Sequence, residues 1–284
     1  MIHLVTDTTA SMPPELQQQY SVHTVPLKIT MGDWTVDEDK APLEEFYARL
    51  KRVETTPTTS QPAPGEFSAL FEELTRGGDE VLAIHISGEL SGTVQAAASV
   101  AQAMAPDRIT VVDSRSTTCG LTMMVIAAAQ AIARGASREE AASLVRKMSR
   151  AYAALFVLQS LDYVAKGGRI SGAARFLGAA LRLQPILCIN DGRVDGQGLA
   201  RTRKRGLEQI LSEMHKRVGD GPVYAGVTHI LCPDEAAAFA EQVQQRFQCV
   251  NFFVNQSGPV LGCHTGPGFL GFAACPVDLS SIPG

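Results

Sequence analysis

Charge is scarce in this 284-residue sequence. Asp, Glu, Lys and Arg make up 19% of it, against about 25% in an average soluble domain, and the formal net charge is only −4. A disordered chain needs few apolar residues and a large net charge, so disorder is excluded. Without a basic excess there is no overall field for a nucleic-acid backbone, and no nucleic-acid partner is expected. Long apolar runs are missing as well. Stretches such as Ala153–Leu158 and Val223–Val227 fall far short of the roughly 20 residues that cross a bilayer. The N-terminal stretch Met1–Asp7 lacks a basic head and soon turns polar, which argues against a signal peptide. The six cysteines form no C-x-x-C pair, and the six histidines no H-x-x-x-H or H-E-x-x-H. No metal site is therefore expected, and the cysteines read as reduced core thiols of a cytoplasmic protein. There is no G-x-x-x-x-G-K-[ST] loop for nucleotide phosphates and no G-x-S-x-G elbow. Asp7, Ser91 and His264 can be imagined as a triad, but nothing in the pattern demands a reaction.

Hydrophobic residues make up 45% of the chain, and the length fits two domains of ordinary size. Ile2–Thr6, Val81–Ile86 and Ile109–Val112 read as buried strands. Leu43–Leu50, Glu66–Leu74, Ser91–Met104, Leu121–Ala133 and Arg138–Ala151 read as helices, Val22–Thr30 and Trp34–Val36 as further strands, and Thr55–Pro64 as a loop. Alternation of this kind predicts a parallel sheet covered on both faces. Past about residue 155 the pattern changes. Strands Pro185–Ile189 and Arg193–Leu199 flank Asn190-Asp191-Gly192, a hairpin signal, and helices and strands then alternate up to a Gly-rich tail. The fold class expected is α/β for residues 1–155 and α+β for residues 156–284.

The small net charge conceals an asymmetry. Residues 1–100 carry 15 acidic and 6 basic side chains, whereas residues 163–205 carry 9 basic and 2 acidic ones. Such a strip is either a solvated face or a docking surface for an acidic partner.

Four segments combine hydroxyls with Gly or Pro: Pro57–Pro62, Ser87–Thr93, Val112–Ser116 and Gly258–Gly268. In a parallel sheet the loops past the strand ends line the ligand crevice, and helix N-termini there favour anions. Hydroxyls and exposed amides in those loops suit a small anionic head group, although each segment taken singly also reads as ordinary capping or loop chemistry.

Taken together, the segments resemble the DegV family of bacterial fatty-acid-binding proteins. The resemblance rests on Val5–Ala10, Thr59–Phe67, Leu90–Ala97, Val112–Ser114, Leu161–Ile170 and Gly258–Gly268, in that order along the chain. It implies a Rossmann-like parallel-sheet N-terminal domain and an α+β C-terminal domain, with a long-chain fatty acid such as palmitate or oleate buried between them. It also implies that the carboxylate is held by Thr59 or the neighbouring Ser60, by Ser91 and by His264, with Gly92, Thr93, Thr265 and Gly266 supporting the loops. The fatty acid is then the ligand, with no cofactor and no intrinsic catalysis. Members of the fatty acid kinase type present the acyl carboxylate to a separate kinase subunit, for which Arg169, Arg201 and Arg203 are the docking candidates. Cys263 stands where Thr is frequent in the family, and Ala165 where Lys is frequent. The apolar residues of Phe176–Leu183 and the core faces of the first domain's helices are expected to wall the acyl tunnel. No stable membrane insertion is implied, and transient membrane contact stays open. The alternative is a phosphotransfer or hydroxyketone-handling enzyme domain related to the dihydroxyacetone kinase fold, which a small polar cup would favour. A regulatory module with lipid as a structural plug is a third reading.

Overall fold

The computed structural model describes the chain except residues 51, 53–55, 170, 177–182, 281 and 283–284. Its first half runs β1 (Ile2–Asp7), α1 (Pro14–Gln19), β2 (Val22–Val25), β3 (Lys28–Met31), β4 (Trp34–Asp37), α2 (Leu43–Leu50) and β5 (Thr58–Ser60). It continues through α3 (Pro64–Thr75), β6 (Glu80–His85), α4 (Thr93–Met104), β7 (Ile109–Asp113), α5 (Thr118–Ala133) and α6 (Arg138–Ala151). The second half runs β8 (Ala153–Val157), α7 (Asp162–Lys166), β9 (Gln184–Asn190), β10 (Arg193–Ala200), α8 (Arg203–Val218) and β11 (Val223–His229). It ends with α9 (Pro233–Arg246), β12 (Cys249–Gln256), α10 (Pro259–Thr265) and β13 (Leu270–Pro276).

The first sheet is parallel, in the order β2-β1-β6-β7. Its central strand β6 shows why. Val81 and Ala83 pack with Phe67, Phe71 and Ala97 of α3 and α4, while Leu82 and Ile84 pack with Leu121, Met124 and Val145 of α5 and α6. A strand buried on both faces has no polar side to alternate with. The second sheet, β10-β9-β8-β13-β11-β12, is antiparallel except for the β11–β12 pair. Helices α8 and α9 cover one face through Leu207, Ile210, Met214 and Phe239. The opposite face meets the first half of the chain: Ala273 and Cys275 share a core with α5. Residues Thr118–Ala129 are all buried in that helix, and an apolar sequence on every side is what such a position requires.

A small antiparallel sheet, β4-β3-β5, joins α2 as a separate cover. Here the structure departs from the predicted strand Val22–Thr30. The chain breaks at Pro26, which has no N–H for a ladder, and β2 and β3 enter different sheets. The predicted loop Thr55–Pro64 contains β5, and the Gly-rich tail contains β13, a central strand of the larger sheet. The predicted hairpin joins β9 and β10, with Asp191 at φ 51° and Gly192 at φ 79°, the two positive angles of a tight primed turn. Among the described residues no helix is long and apolar enough to cross a membrane.

Candidate functional site

The C-terminal ends of β1, β6 and β7 point at the inner face of the second sheet, and a cavity of about 390 Å³ lies between them. That is within the roughly 300–1,000 Å³ of small-molecule sites. Strands β8 and β13 supply part of its lining: Ala154 lies opposite Ala273 and Phe156 opposite Gly271. Phe156 packs on Phe269 at 5.3 Å between ring centres. Phe269, just before β13, and Gly271 and Phe272 within it line this side of the cavity, which follows the strand at about 3.3 Å per residue. It leads from the loop that follows His264 towards Ala154 and Cys119. Leu27, Ile86, Leu90 and Val260 close the cavity opposite.

Polar side chains gather where β5, the β6–α4 loop and α10 meet. Thr59 Oγ1 and His264 Nε2 are hydrogen-bonded at 2.9 Å, and Ser60, Ser91, Gly92 and Thr265 line the same cavity. Ser91 Oγ accepts from the Thr93 amide at 3.4 Å and pairs with Thr93 Oγ1 at 2.9 Å. Thr93 is fully buried behind it. Thr265 Oγ1 donates to the Leu261 carbonyl at 3.0 Å, and Gly266 ends the helix at φ 71°. Gly167 lies so close to the His264 ring that a Cβ there would collide with Nδ1. That nitrogen is buried without a hydrogen-bond partner among the described residues. Burial, and after it the Arg169 guanidinium, hold the His264 imidazole down at about 4, so it is neutral at pH 7.

This depressed value carries a sign. An unfolded imidazole takes up its proton near pH 6.5 and the folded one near 4, so acidification between those values favours the unfolded state. We expect His264→Gln to lose less stability than the wild type on moving from pH 7 to 4.5, by about 2 kcal/mol. Urea denaturation of the ligand-free proteins at both pH values measures this, and equal losses would refute the assignment.

The three arginines separate. Arg169 lines the cavity, with Nη1 donating to the Gly167 carbonyl at 2.8 Å and Nε to the Leu90 carbonyl at 3.4 Å. Arg201 is exposed. Arg203 is engaged internally: Nε donates to both Glu235 carboxylate oxygens at 2.7 and 2.8 Å, and Nη2 to the Gly268 carbonyl at 2.6 Å. Arg182, part of the basic strip, lies outside the described residues. Of the predicted wall Phe176–Leu183, residues 177–182 lie outside the described residues, and Phe176 and Leu183 do not line the cavity. Among the described residues, strands β8, β9, β10 and β13 contribute Phe156, Ile189, Val194 and Gly271. Among the described residues of the first half's α-helices, the opening residues of α5, Thr118 and Cys119, take part. The imagined triad also fails, because Asp7 pairs with His85 and not with His264. Sequence reasoning passed over Gln61, Thr117, Thr118 and Cys119 as cavity residues. Gln61 and Thr117 each fall within or beside a segment it had singled out, whereas Cys119 carries no local signal. Among the described residues no group of three or more His, Cys, Asp or Glu is placed to hold a metal ion.

The model of the uncharacterised DegV family matches residues 1–277. The chain belongs to the DegV family. A DegV domain-containing protein of Streptomyces coelicolor, SCO2569, is 32% identical over 272 residues, 95% of this chain and 96% of its own. Two solved DegV structures superpose closely. One, from Thermus thermophilus, is described as a fatty-acid-binding DegV protein and has a TM-score of 0.92 at 34% identity, covering 97% of this chain and 99% of its own. The other is Bacillus subtilis DegV, described as a fatty acid binding protein, with a TM-score of 0.86 at 31% identity, covering 96% and 98%. This chain therefore shares its fold, end to end, with DegV relatives described as binding fatty acids.

Proposed function

We propose that this DegV protein binds a long-chain fatty acid, with the carboxylate between Thr59, Ser91 and His264 and the hydrocarbon chain along β8 and β13. The observation that carries the reading is a cavity in which the cluster Thr59, Ser91 and His264 adjoins an apolar lining of Leu27, Ile86, Phe156, Ile189 and Phe269, with Thr9, Thr117 and Thr118 also taking part. An isolated buried carboxylate is prohibitively costly unless hydrogen-bonded, and two hydroxyls with a neutral imidazole can supply donors to it. Each methylene buried contributes about 0.8 kcal/mol before ordering costs. The apolar lining favours an acyl chain over a small hydroxyketone. Among the described residues nothing in the cavity activates a nucleophile, which suits a carrier; in this reading it offers the carboxylate to a separate kinase subunit. Arg169 and Arg201 remain as docking groups for that acidic, nucleotide-loaded partner, while the Glu235 pair withdraws Arg203 from the role.

Native mass spectrometry of the purified protein, before and after organic extraction, tests the binding. Bound fatty acid that is lost on extraction and regained from palmitate or oleate is the expected result. A protein that carries no lipid and takes up neither acid in calorimetry would overturn the proposal.

A further inference from the structure

The β3–β4–β5 cover carries Thr59, and α10 carries His264. Their hydrogen bond ties the two units at the C-terminal end of the helix. A second tie lies at the other end. The Val260 amide, in the first turn of α10, donates to Glu38 Oε1 at 2.8 Å. No side chain of the helix's own N-cap, Gly258, is available for that turn, and Gly258 lies so close to Glu38 that a Cβ would meet the carboxylate. Glu38 is only 6% exposed, and its own amide donates to the carbonyl of the cavity residue Leu27 at 2.8 Å.

A helix N-terminus favours a carboxylate, but the rest of this environment does not favour a charge. Glu38 Oε2 has no hydrogen-bond partner among the described residues. The titratable groups facing it are Asp7 at the end of β1, Asp39 beside it, Cys263 on α10 and, one helix turn along, Tyr47 on α2. None of these is a cation. Burial pushes the Glu38 carboxyl up to about 7, against the Thr8 hydroxyl and the Val260 amide, and with repulsion from Asp7 and Asp39. The Glu38 carboxylate in turn helps burial push the Cys263 thiol up to about 12.

We propose that Glu38 is a positioning residue that latches the β3–β4–β5 cover onto the His264 helix, and that its ionisation loosens the head-group end of the cavity. The role rests on the fatty-acid reading for its purpose but not for its existence. When the cover lifts, Glu38 becomes a solvated carboxyl with an ordinary value near 4.3, so rising pH shifts the balance from seated to lifted. Between pH 6 and 8 that shift amounts to about tenfold.

Hydrogen exchange of the ligand-free protein, corrected for the intrinsic pH dependence of exchange, reads the latch in residues 256–265. Protection there is expected to fall about tenfold from pH 6 to 8 in the wild type. Glu38→Gln keeps the acceptor for the Val260 amide but cannot ionise, so its protection should be independent of pH and exceed the wild type's even at pH 6, where the lifted wild-type carboxyl is already ionised. Glu38→Ala loses the acceptor and should be less protected at both pH values. A wild-type profile independent of pH, or the same slope in Glu38→Gln, would overturn the proposal. Oleate dissociation rates of the same proteins should follow the same ranking. If no protein binds oleate, the fatty-acid reading fails while the exchange result still decides the latch.

Discussion

Replacing Thr59 with valine and Ser91 with alanine together should weaken palmitate binding by at least about a hundredfold. Each hydroxyl would lose a hydrogen bond to a charged acceptor, worth about 1.5–3 kcal/mol, and the carboxylate would stay buried with His264 as its remaining donor. Valine has nearly the shape of threonine and suits the short strand β5, so the ladder to Ile29 and Lys28 survives. Ser91 lies outside α4, whose N-cap is Gly92, so its truncation costs the helix only the long 3.4 Å bond from the Thr93 amide and the Thr93 hydroxyl contact. Calorimetry with palmitate and with its methyl ester separates head-group recognition from burial of the chain. The double variant should lower the acid's affinity towards that of the ester and change the ester's little. Undiminished affinity for the acid would place the carboxylate elsewhere in the cavity.

The polar end of the cavity was more legible in the sequence than its walls. Thr59, Ser91 and His264 sit in segments where hydroxyls, Gly and Pro accumulate past strand ends, and local chemistry marks such places. The floor beneath them has no local mark. Gly271, Ala273 and Ala274 are poor strand formers taken singly, yet β13 is held between β8 and β11, and Gly271, without a side chain, lines the cavity. Strand β5 is similar: Thr58–Ser60 follows a proline in what reads as a loop, and only pairing with β3 makes it a strand. Arg203 illustrates the limit for charge. Its basic neighbours suggested a docking face, but Glu235 lies 32 residues away, beyond the reach of any helical spacing rule. Parallel and antiparallel pairing partners, like ion-pair partners, are set by tertiary placement, which a run of residues does not display.

Replacing Asp7 with alanine should lower the unfolding free energy by about 3–5 kcal/mol, the range for breaking a buried charge network. Asp7 is fully buried at the end of β1. Its Oδ1 accepts from the Thr9 amide at 3.1 Å and the Thr9 hydroxyl at 2.5 Å, and its Oδ2 accepts from the Ile86 amide at 2.9 Å. His85 Nδ1 lies 3.0 Å from the same Oδ2. Alanine would leave two buried amides unpaired. It would also leave the His85 ring without a partner on either nitrogen, since its Nε2 already has none among the described residues. Asparagine is the instructive comparison. Its carbonyl can replace Oδ1, but its amide group then faces the Ile86 N–H, donor against donor, so about half the loss should persist. Urea unfolding with an unchanged slope measures both variants, and a loss below about 1 kcal/mol for the alanine variant would contradict this account. Thr9 and Ile86 both line the cavity, so Asp7 holds two parts of its wall by joining the ends of β1 and β6. An Asp7→Asn protein that stays folded should therefore bind fatty acid more weakly than the wild type, although Asp7 itself does not line the cavity.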